Sequence, residues 1–543
     1  METEKALTAE DTNKAARPKI LVGDKIVDEA LDMLRQDADV DINFGISQSD
    51  LLQVIGNYDA LIVRSVPLVT EEVLDRGKRL KVVGRAGNGV DNIDVDAATR
   101  HGVVVVNTPD SNSISACEQT IALMLAAARN LPQADRILKD GGWGRNQFMG
   151  SELFGKTVGI VGLGRIGALV ATRLKVFGMR VIAYDPYITP ERFKRFGAER
   201  MVALEDLVRQ ADVITVHTPK TEETIGMIGE EQFKIAKKGV RVINCARGGI
   251  VDEKALAEAL RQGIVASASL DVFSKEPCAG NPLLAFENVV VTPHIGATTD
   301  EAQYRVGTDV ATFVLAALRG EIVPNTVNIP CLMGEEINSM RPYFTLAEYM
   351  GMLYYQLEKT PVERVEINYS GEIASKETGV ITLAFLKGLL TPVLEENVNL
   401  VNAAWLAENR DIKVSEGRDE TSNSGFTSMI SVCIARDGNK VKYAGTIAWD
   451  NGPRFVRINN FQVDVIPTPH MLFVDHIDQP GVIGPFASIL GKANVNIASM
   501  QVGRNNRGEE ALMTMSVDCP VDAATLEQLR QISGILSVKV VSL

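Results

Sequence analysis

The sequence predicts an α/β protein of several domains, and three observations predict it. From Lys19 to about Arg319, short apolar runs alternate with helical patterns, as in parallel sheets covered on both faces. Within that stretch, Gly162-Leu163-Gly164-Arg165-Ile166-Gly167 joins an apolar strand to an amphipathic helix. The last stretch, from His470, reads β-α-β-β-α-β, the order of a ferredoxin-like domain. The length of 543 residues leaves room for three or four domains at roughly 150 residues each.

The elements follow in chain order. Residues 1–18 are polar, lack the apolar core of a secretory signal and read as a flexible tail. KILVGD, YDALIVRS, LKVVGRAG and VVVVN read as strands, with DEALDMLRQ and TEEVLDRG as helices between them. A long helix with Ser113 as its N-cap carries Ile114, Cys117, Ile121, Met124, Leu125 and Ala128 at helical spacing. The unit KTVGIVGLGRIGALVATRLKVFGMRVIAYD runs from Lys156 to Asp185, and further strand–helix units continue to NVVVTPHIG. A helix from about Thr298 to Arg319 ends in the proline-containing IVPNTVNIP, which sets a boundary near 325. Residues 330–455 mix helix-like and strand-like runs and carry little readable chemistry.

Composition excludes several classes. Hydrophobic residues at 45% and charged residues at 23% belong to folded globular protein rather than to disordered or fibrous chains. A formal charge of −13 argues against nucleic acid as a partner. The six cysteines form no C-x-x-C pair, so zinc or dithiol chemistry is not indicated, no metal site is expected, and a reducing compartment fits. No apolar run approaches the roughly 18 residues of a membrane helix, so no membrane is expected as a partner.

The chemistry sits in the glycine turn and at strand ends. Gly162 permits the tight turn, Gly164 lets the backbone approach a pyrophosphate, and Gly167 allows close packing of helix on sheet. The helix N-terminus attracts the anion. Asp185, closing the next strand, is suited to accept hydrogen bonds from ribose hydroxyls and to repel a 2′-phosphate, favouring NAD over NADP. His294, Glu276 and Arg247 each follow an apolar strand, where ligands bind in open α/β sheets. A base, a carboxylate to hold it and a cation are what alcohol oxidation needs, although polar groups at strand ends also serve only to cap or pair with neighbours.

VGRAGNGVDNID (83–94), VNTPDSNSISACE (106–118), GLGRIG (162–167), VHTP (216–219), NCARGGIVDE (244–253), DVFSKEP (271–277) and TPHIGATT (292–299) together carry a resemblance. The chain resembles the D-isomer-specific 2-hydroxyacid dehydrogenases and, from about Lys19 to its C-terminus, the long-form D-3-phosphoglycerate dehydrogenases. The resemblance implies a Rossmann-type dinucleotide domain (111–297) inserted in a flavodoxin-like substrate domain (19–110 plus 298–325). An α+β intervening regulatory domain (326–460) and a ferredoxin-like ACT domain (468–543) would follow. It implies that Arg247 binds and polarises the substrate, His294 is the acid/base and Glu276 raises its basicity. It also implies an NAD site lined by Asn88, Arg165, Ile166, Asp185, Thr218, Cys245, Ala246, Asp271 and Gly296 as well as the three glycines.

Substrate binding is expected of Arg64 and Arg85 at strand ends, and of Arg145, which matches a position that reaches across a dimer interface. The resemblance implies that His476, Asp478 and Asn496 hold an L-serine effector, with a purely structural module as the alternative. In the intervening region, Lys387 and Arg410 are candidate cations. The implied activity is NAD-dependent oxidation of 3-phosphoglycerate by a cytoplasmic homodimer or homotetramer. The alternatives are a dehydrogenase of another D-2-hydroxy acid, such as 2-hydroxyglutarate, and a non-catalytic NAD-sensing interaction protein.

Overall fold

The computed structural model describes residues 17–330, 334–358, 360–395, 397–421, 425–436, 439–506 and 508–543. Most of the tail expected over 1–18 therefore lies outside the described residues, as does Cys331. Arg17 is held in place: its guanidinium donates to the carbonyls of Arg35, Gln36 and Ala38 at 2.6, 3.0 and 3.1 Å. These are the free carbonyls where helix Asp28–Asp37 ends.

Five short segments, β1 (Lys19–Val22), β2 (Asp39–Ile42), β3 (Ala60–Val63), β4 (Val82–Arg85) and β5 (Val104–Val106), form a parallel sheet in the order β2-β1-β3-β4-β5. All four residues of β3 are buried, as its apolar run demands. Helix Asp300–Leu318 returns to this sheet and buries Val306, Val310 and Val314 in one core with Ile20, Ile62 and Val82.

The second sheet contains β6 (Thr157–Val161), β7 (Arg180–Tyr184), β8 (Glu199–Arg200), β9 (Val213–Val216), β10 (Val240–Asn244), β11 (Val265–Leu270) and β12 (Val289–Val291). Its order is β12-β11-β10-β9-β6-β7-β8, and every neighbouring pair is parallel. The chain winds one way from β6 to β7 and the other way from β6 to β9, so a crevice opens where the order reverses. Helices Ser113–Arg129 and Arg165–Val176 cover one face through Cys117, Met124, Val170 and Leu174. Leu207, Phe233 and Leu256 fill the other.

Beyond residue 330 the structure supplies what the sequence pattern did not. Strands β13 (Arg364–Gly371), β14 (Lys413–Asp419), β15 (Ser428–Arg436), β16 (Asn439–Ile447), β17 (Pro453–Ile458) and β18 (Phe461–Val465) form a mixed sheet in the order β14-β13-β15-β16-β17-β18. Only its β13–β14 pair is parallel. Helices Gly334–Leu357 and Gly379–Leu390 contribute to the same core. The last sheet, β19 (Met471–Ile477), β20 (Ile497–Arg504), β21 (Glu510–Val517) and β22 (Ile535–Val541), is antiparallel with order β20-β21-β19-β22. With helices Ile483–Lys492 and Ala523–Arg530 it is the ferredoxin-like arrangement the sequence predicts. Its other face is not free, because Met471, Phe473, Leu512 and Val541 join the core that holds Tyr354 and Val365.

Two polar seams tie the halves together. Asn328 accepts from the Val105 N–H and donates to the Val103 carbonyl, both at 2.9 Å. Asn399 donates to the Gly102 carbonyl at 2.7 Å.

Candidate active site

The sequence-predicted base and its carboxylate meet. Nδ1 of His294 lies 2.8 Å from Oε2 of Glu276, and the other oxygen of Glu276 accepts from the Phe273 N–H at 3.0 Å. An ionised carboxylate only accepts, so Nδ1 carries a proton and, in the neutral imidazole, Nε2 keeps its lone pair. Both side chains remain partly open, His294 at 48% and Glu276 at 38% exposure. His294 itself sits at φ 54°, in the left-handed region. Asp271 explains why that conformation holds. Its buried carboxylate accepts from the Ile295 N–H at 2.9 Å, the Gly296 N–H at 2.8 Å and the Thr292 hydroxyl, while its carbonyl accepts from the His294 N–H at 2.8 Å. One acid at the end of β11 thus fixes the loop after β12.

Arg247 stands after β10 in a turn clamped by Asn244, which donates to the Arg247 carbonyl at 2.9 Å and accepts from the Ala246 N–H at 3.0 Å. Its Nε donates to Asp91 at 3.1 Å and its Nη1 to the Ala246 carbonyl at 2.8 Å. Asp91, from the loop after β4, is a residue that sequence reasoning did not single out.

Arg64 and Arg85 converge on the same region. Burial, together with the positive charges of Arg247 and Arg64, lowers the Arg85 guanidinium to about 10, against the pull of Asp91 and Asp24. The group stays cationic at neutral pH, and its buried Nε has no partner among the described residues. A buried guanidinium repelled by two others at the ends of strands makes a site for an anion. Arg64 donates to Gln303 on helix Asp300–Leu318. Arg145 is not among the charges acting on Arg85; it lies in the exposed turn Arg145–Gln147.

The glycine turn has the form a dinucleotide requires. Gly162 adopts φ 91°, and a Cβ on Gly167 would stand 2.1 Å from the Gly162 carbonyl oxygen. A Cβ on Gly164 would meet nothing within 4 Å, and Gly164 opens helix Arg165–Val176 with no side-chain cap, so the helix N-terminus faces open space. The Thr218 hydroxyl, beside Gly162, is buried without a partner among the described residues. Asp185 accepts from the Leu163 and Tyr187 N–H groups at 2.9 and 3.0 Å, which places the carboxylate beside the turn. These features fit NAD, whose pyrophosphate takes a helix N-terminus and whose ribose takes the acid.

The remaining cofactor candidates surround this cradle. Arg165 pairs with Asp110 at 2.6 Å, Ile166 packs against the core of β6, and burial pushes the Cys245 thiol up to about 12. The Asn88 carbonyl accepts from Asn107 at 2.6 Å. Sequence reasoning also passed over Tyr187, whose hydroxyl donates to Glu223 and so links the loops after β7 and β9.

The three effector candidates each have a separate partner. His476 is buried and donates through Nδ1 to the Ile477 carbonyl at 2.9 Å, while its Nε2 has no partner among the described residues. Asp478 pairs with Arg504 at 3.3 Å and Asn496 donates to Asp518 at 2.8 Å. Lys387 pairs with Glu348 at 2.7 Å. Among the described residues no group of three or more His, Cys, Asp or Glu could hold a metal, and no helix is long and apolar enough to cross a membrane.

Family models match three segments: the NAD-binding domain of D-isomer-specific 2-hydroxyacid dehydrogenases over residues 121–296, the D-3-phosphoglycerate dehydrogenase intervening domain over 339–459, and the ACT domain over 470–534. The D-3-phosphoglycerate dehydrogenase of Methanocaldococcus jannaschii is 45% identical, over 97% of this chain and 100% of its own. That of Bacillus subtilis is 43% identical, over 97% and 99%. Among solved structures, a glyoxylate reductase from Paecilomyes thermophila superposes with a TM-score of 0.54 at 31% identity, covering 57% of this chain and 98% of its own. The D-lactate dehydrogenase of Aquifex aeolicus, complexed with NAD and lactic acid, gives 0.53 at 28%, covering 57% and 99%.

Proposed function

Because this chain belongs to the D-3-phosphoglycerate dehydrogenase family, we propose that it oxidises 3-phospho-D-glycerate to 3-phosphohydroxypyruvate with NAD, the entry step of L-serine biosynthesis. The observation that carries this reading is the His294–Glu276 pair at 2.8 Å, on the same sheet's strand ends as Arg247. NAD, when bound, supplies the hydride acceptor. Gly162, Gly164, Gly167 and the N-terminus at Arg165 would hold its pyrophosphate, and Asp185 its ribose.

His294 takes the proton of the 2-hydroxyl on Nε2. Glu276 keeps the other proton on Nδ1 and stabilises the imidazolium that forms, so the same group returns the proton in the reductive direction. Arg247 binds the carboxylate and polarises the 2-oxygen as its bond to carbon shortens. Arg64 and Arg85 take the phosphate, which relieves their mutual repulsion.

Arg145 adjoins exposed Trp143 and Met149, at 82% and 87% exposure, and helix Leu131–Lys139 buries none of its residues. A second copy covering that surface would form a homodimer, or a homotetramer with further contacts, and would carry Arg145 toward its neighbour's cleft. His476, Asp478 and Asn496 would form an L-serine site once Asp478 and Asn496 leave Arg504 and Asp518. The cytoplasm is the expected compartment.

The test is NADH formation from 3-phosphoglycerate, compared with other 2-hydroxy acids and repeated with L-serine. His294→Asn should lower kcat by about 10²–10⁴-fold while the NADH dissociation constant, read by fluorescence titration, stays unchanged. Turnover at the wild-type rate in that variant would remove His294 from its role.

A further inference from the structure

We propose that Asp91 is a positioning residue for this reaction: it reaches across the cleft from the loop after β4 and fixes the Arg247 guanidinium so that one edge of it faces the substrate. The inference rests on Arg247 binding the substrate, as read above. The two residues are 156 positions apart in sequence and stand on different sheets, so their contact exists only in the folded cleft.

The Arg247 guanidinium has five N–H bonds in a fixed plane. Nε is taken by Asp91 at 3.1 Å, and one hydrogen of Nη1 by the Ala246 carbonyl at 2.8 Å. What remains is one hydrogen on Nη1 and both on Nη2. That edge can give a carboxylate, or a carboxylate oxygen with the neighbouring 2-oxygen, two parallel hydrogen bonds. Without Asp91 the Nε edge is equally available, and the guanidinium can present the wrong side.

Both ends of the contact are anchored. The Asn92 carbonyl accepts from the Val69 N–H and the Val69 carbonyl from the Asp94 N–H, each at 2.8 Å, and the Asn92 side chain donates to the Pro67 carbonyl at 3.2 Å. Asp91 is thus held between residues bonded to a neighbouring segment, while Asn244 clamps the turn of Arg247. The loop also leaves room for the guanidinium. A Cβ on Gly89 would fall 2.0 Å from Nη2 of Arg247 and 2.6 Å from Oδ2 of Asp91, so a side chain there would expel both. Charge points the same way, since Arg85 repels Arg247 and Asp91 is the carboxylate that touches it. The pair is too open to matter much for folding, with Asp91 at 60% exposure and Arg247 at 27%. Its consequence is orientation.

The test compares full-length wild type, Asp91→Ala and Asp91→Asn for KM and kcat with 3-phosphoglycerate, NADH affinity and Tm. Loss of one charge-assisted hydrogen bond to a substrate-binding cation should raise KM about tenfold in Asp91→Ala. Asp91→Asn keeps an acceptor of the same shape without the charge, so its KM should rise only about threefold. In both, kcat should fall by less than KM rises, because the polarisation of the 2-oxygen by Arg247 is weakened but not removed, with NADH affinity and Tm unchanged. The asparagine variant is isosteric and decides the question even where the alanine variant folds poorly. A KM unchanged in the folded variants overturns the inference and leaves the functional reading standing. So does a loss of NADH affinity in step with KM, which would mean that Asp91 only holds the two domains together. A wild type that forms no NADH from 3-phosphoglycerate overturns the functional reading instead.

Discussion

At the end of β7 the Asp185 carboxylate accepts two backbone N–H groups, from Leu163 and Tyr187, and so cannot turn away from a ribose beside the glycine turn. A 2′-phosphate there would meet a fixed negative charge, with Glu223 close by on Tyr187. Asp185→Ser should therefore weaken NAD by about tenfold in kcat/KM, the loss of a hydrogen bond to a charged group, and should raise activity with NADP. Because Glu223 remains, NAD should still be preferred. Measuring kcat/KM with both cofactors checks this, and an unaltered ratio would remove Asp185 from the discrimination. Asp185, His294 and Arg247 were legible because their signal is local: an acid, a base or a cation directly after an apolar strand. Asp91 and Asp110 were not. Each acts on an arginine far away in the chain, and nothing near Asp91 in sequence separates a carboxylate that crosses a cleft from one that caps a loop.

At the scale of the element the same division holds for a different reason. Strands buried on both faces, such as β3 and β6, read as unbroken apolar runs and were visible at once. The edge strand β2, with sequence DVDI and little burial, carries no such run, and β14 is mostly exposed as well. In β13 alternate residues Val365, Ile367 and Tyr369 are buried, a period that the mixed composition around it obscured.

The turn at the end of β9 yields a prediction at this scale. His217 is partly buried there with its Nε2 3.0 Å from the Thr215 hydroxyl, and the burial of its ring lowers its pKa to about 4 from an unfolded value of about 6.5. A depressed value in the folded state means that the unfolded chain binds the proton first. The associated stability is present above about pH 6.5 and is lost as pH falls toward 4. Wild type should therefore lose Tm more steeply over that window than His217→Gln, whose amide can still bond to Thr215. Parallel Tm profiles for the two proteins would refute the assignment.

For the whole molecule, the distribution of cores decides how the chain should melt. The two clusters flanking the first sheet draw on residues from Ile20 to Val327, and those around the second lie between Cys117 and Val290. The large C-terminal core begins at Ile322 and runs to Leu543, taking in both the mixed sheet and one face of the last sheet. Across the junction run polar seams such as those of Asn328 and Asn399, which join surfaces without merging cores. Shared burial of apolar surface is what makes two regions unfold together. The two-sheet N-terminal part and the C-terminal part should thus give separate calorimetric transitions. NADH binds only to the first, and at a hundredfold excess over its dissociation constant it adds about 2.7 kcal/mol to the folded state. For a unit of roughly 300 residues, with an unfolding entropy of about 2.1 cal/mol/K per residue, that is a rise of roughly 4 °C in one Tm, with the other transition unmoved. The measurement is differential scanning calorimetry of the full chain with and without NADH. A single transition that shifts as a whole would show that the polar seams couple the halves as strongly as a common core, and that an effector bound at the last sheet could reach Arg247 without any unit coming apart.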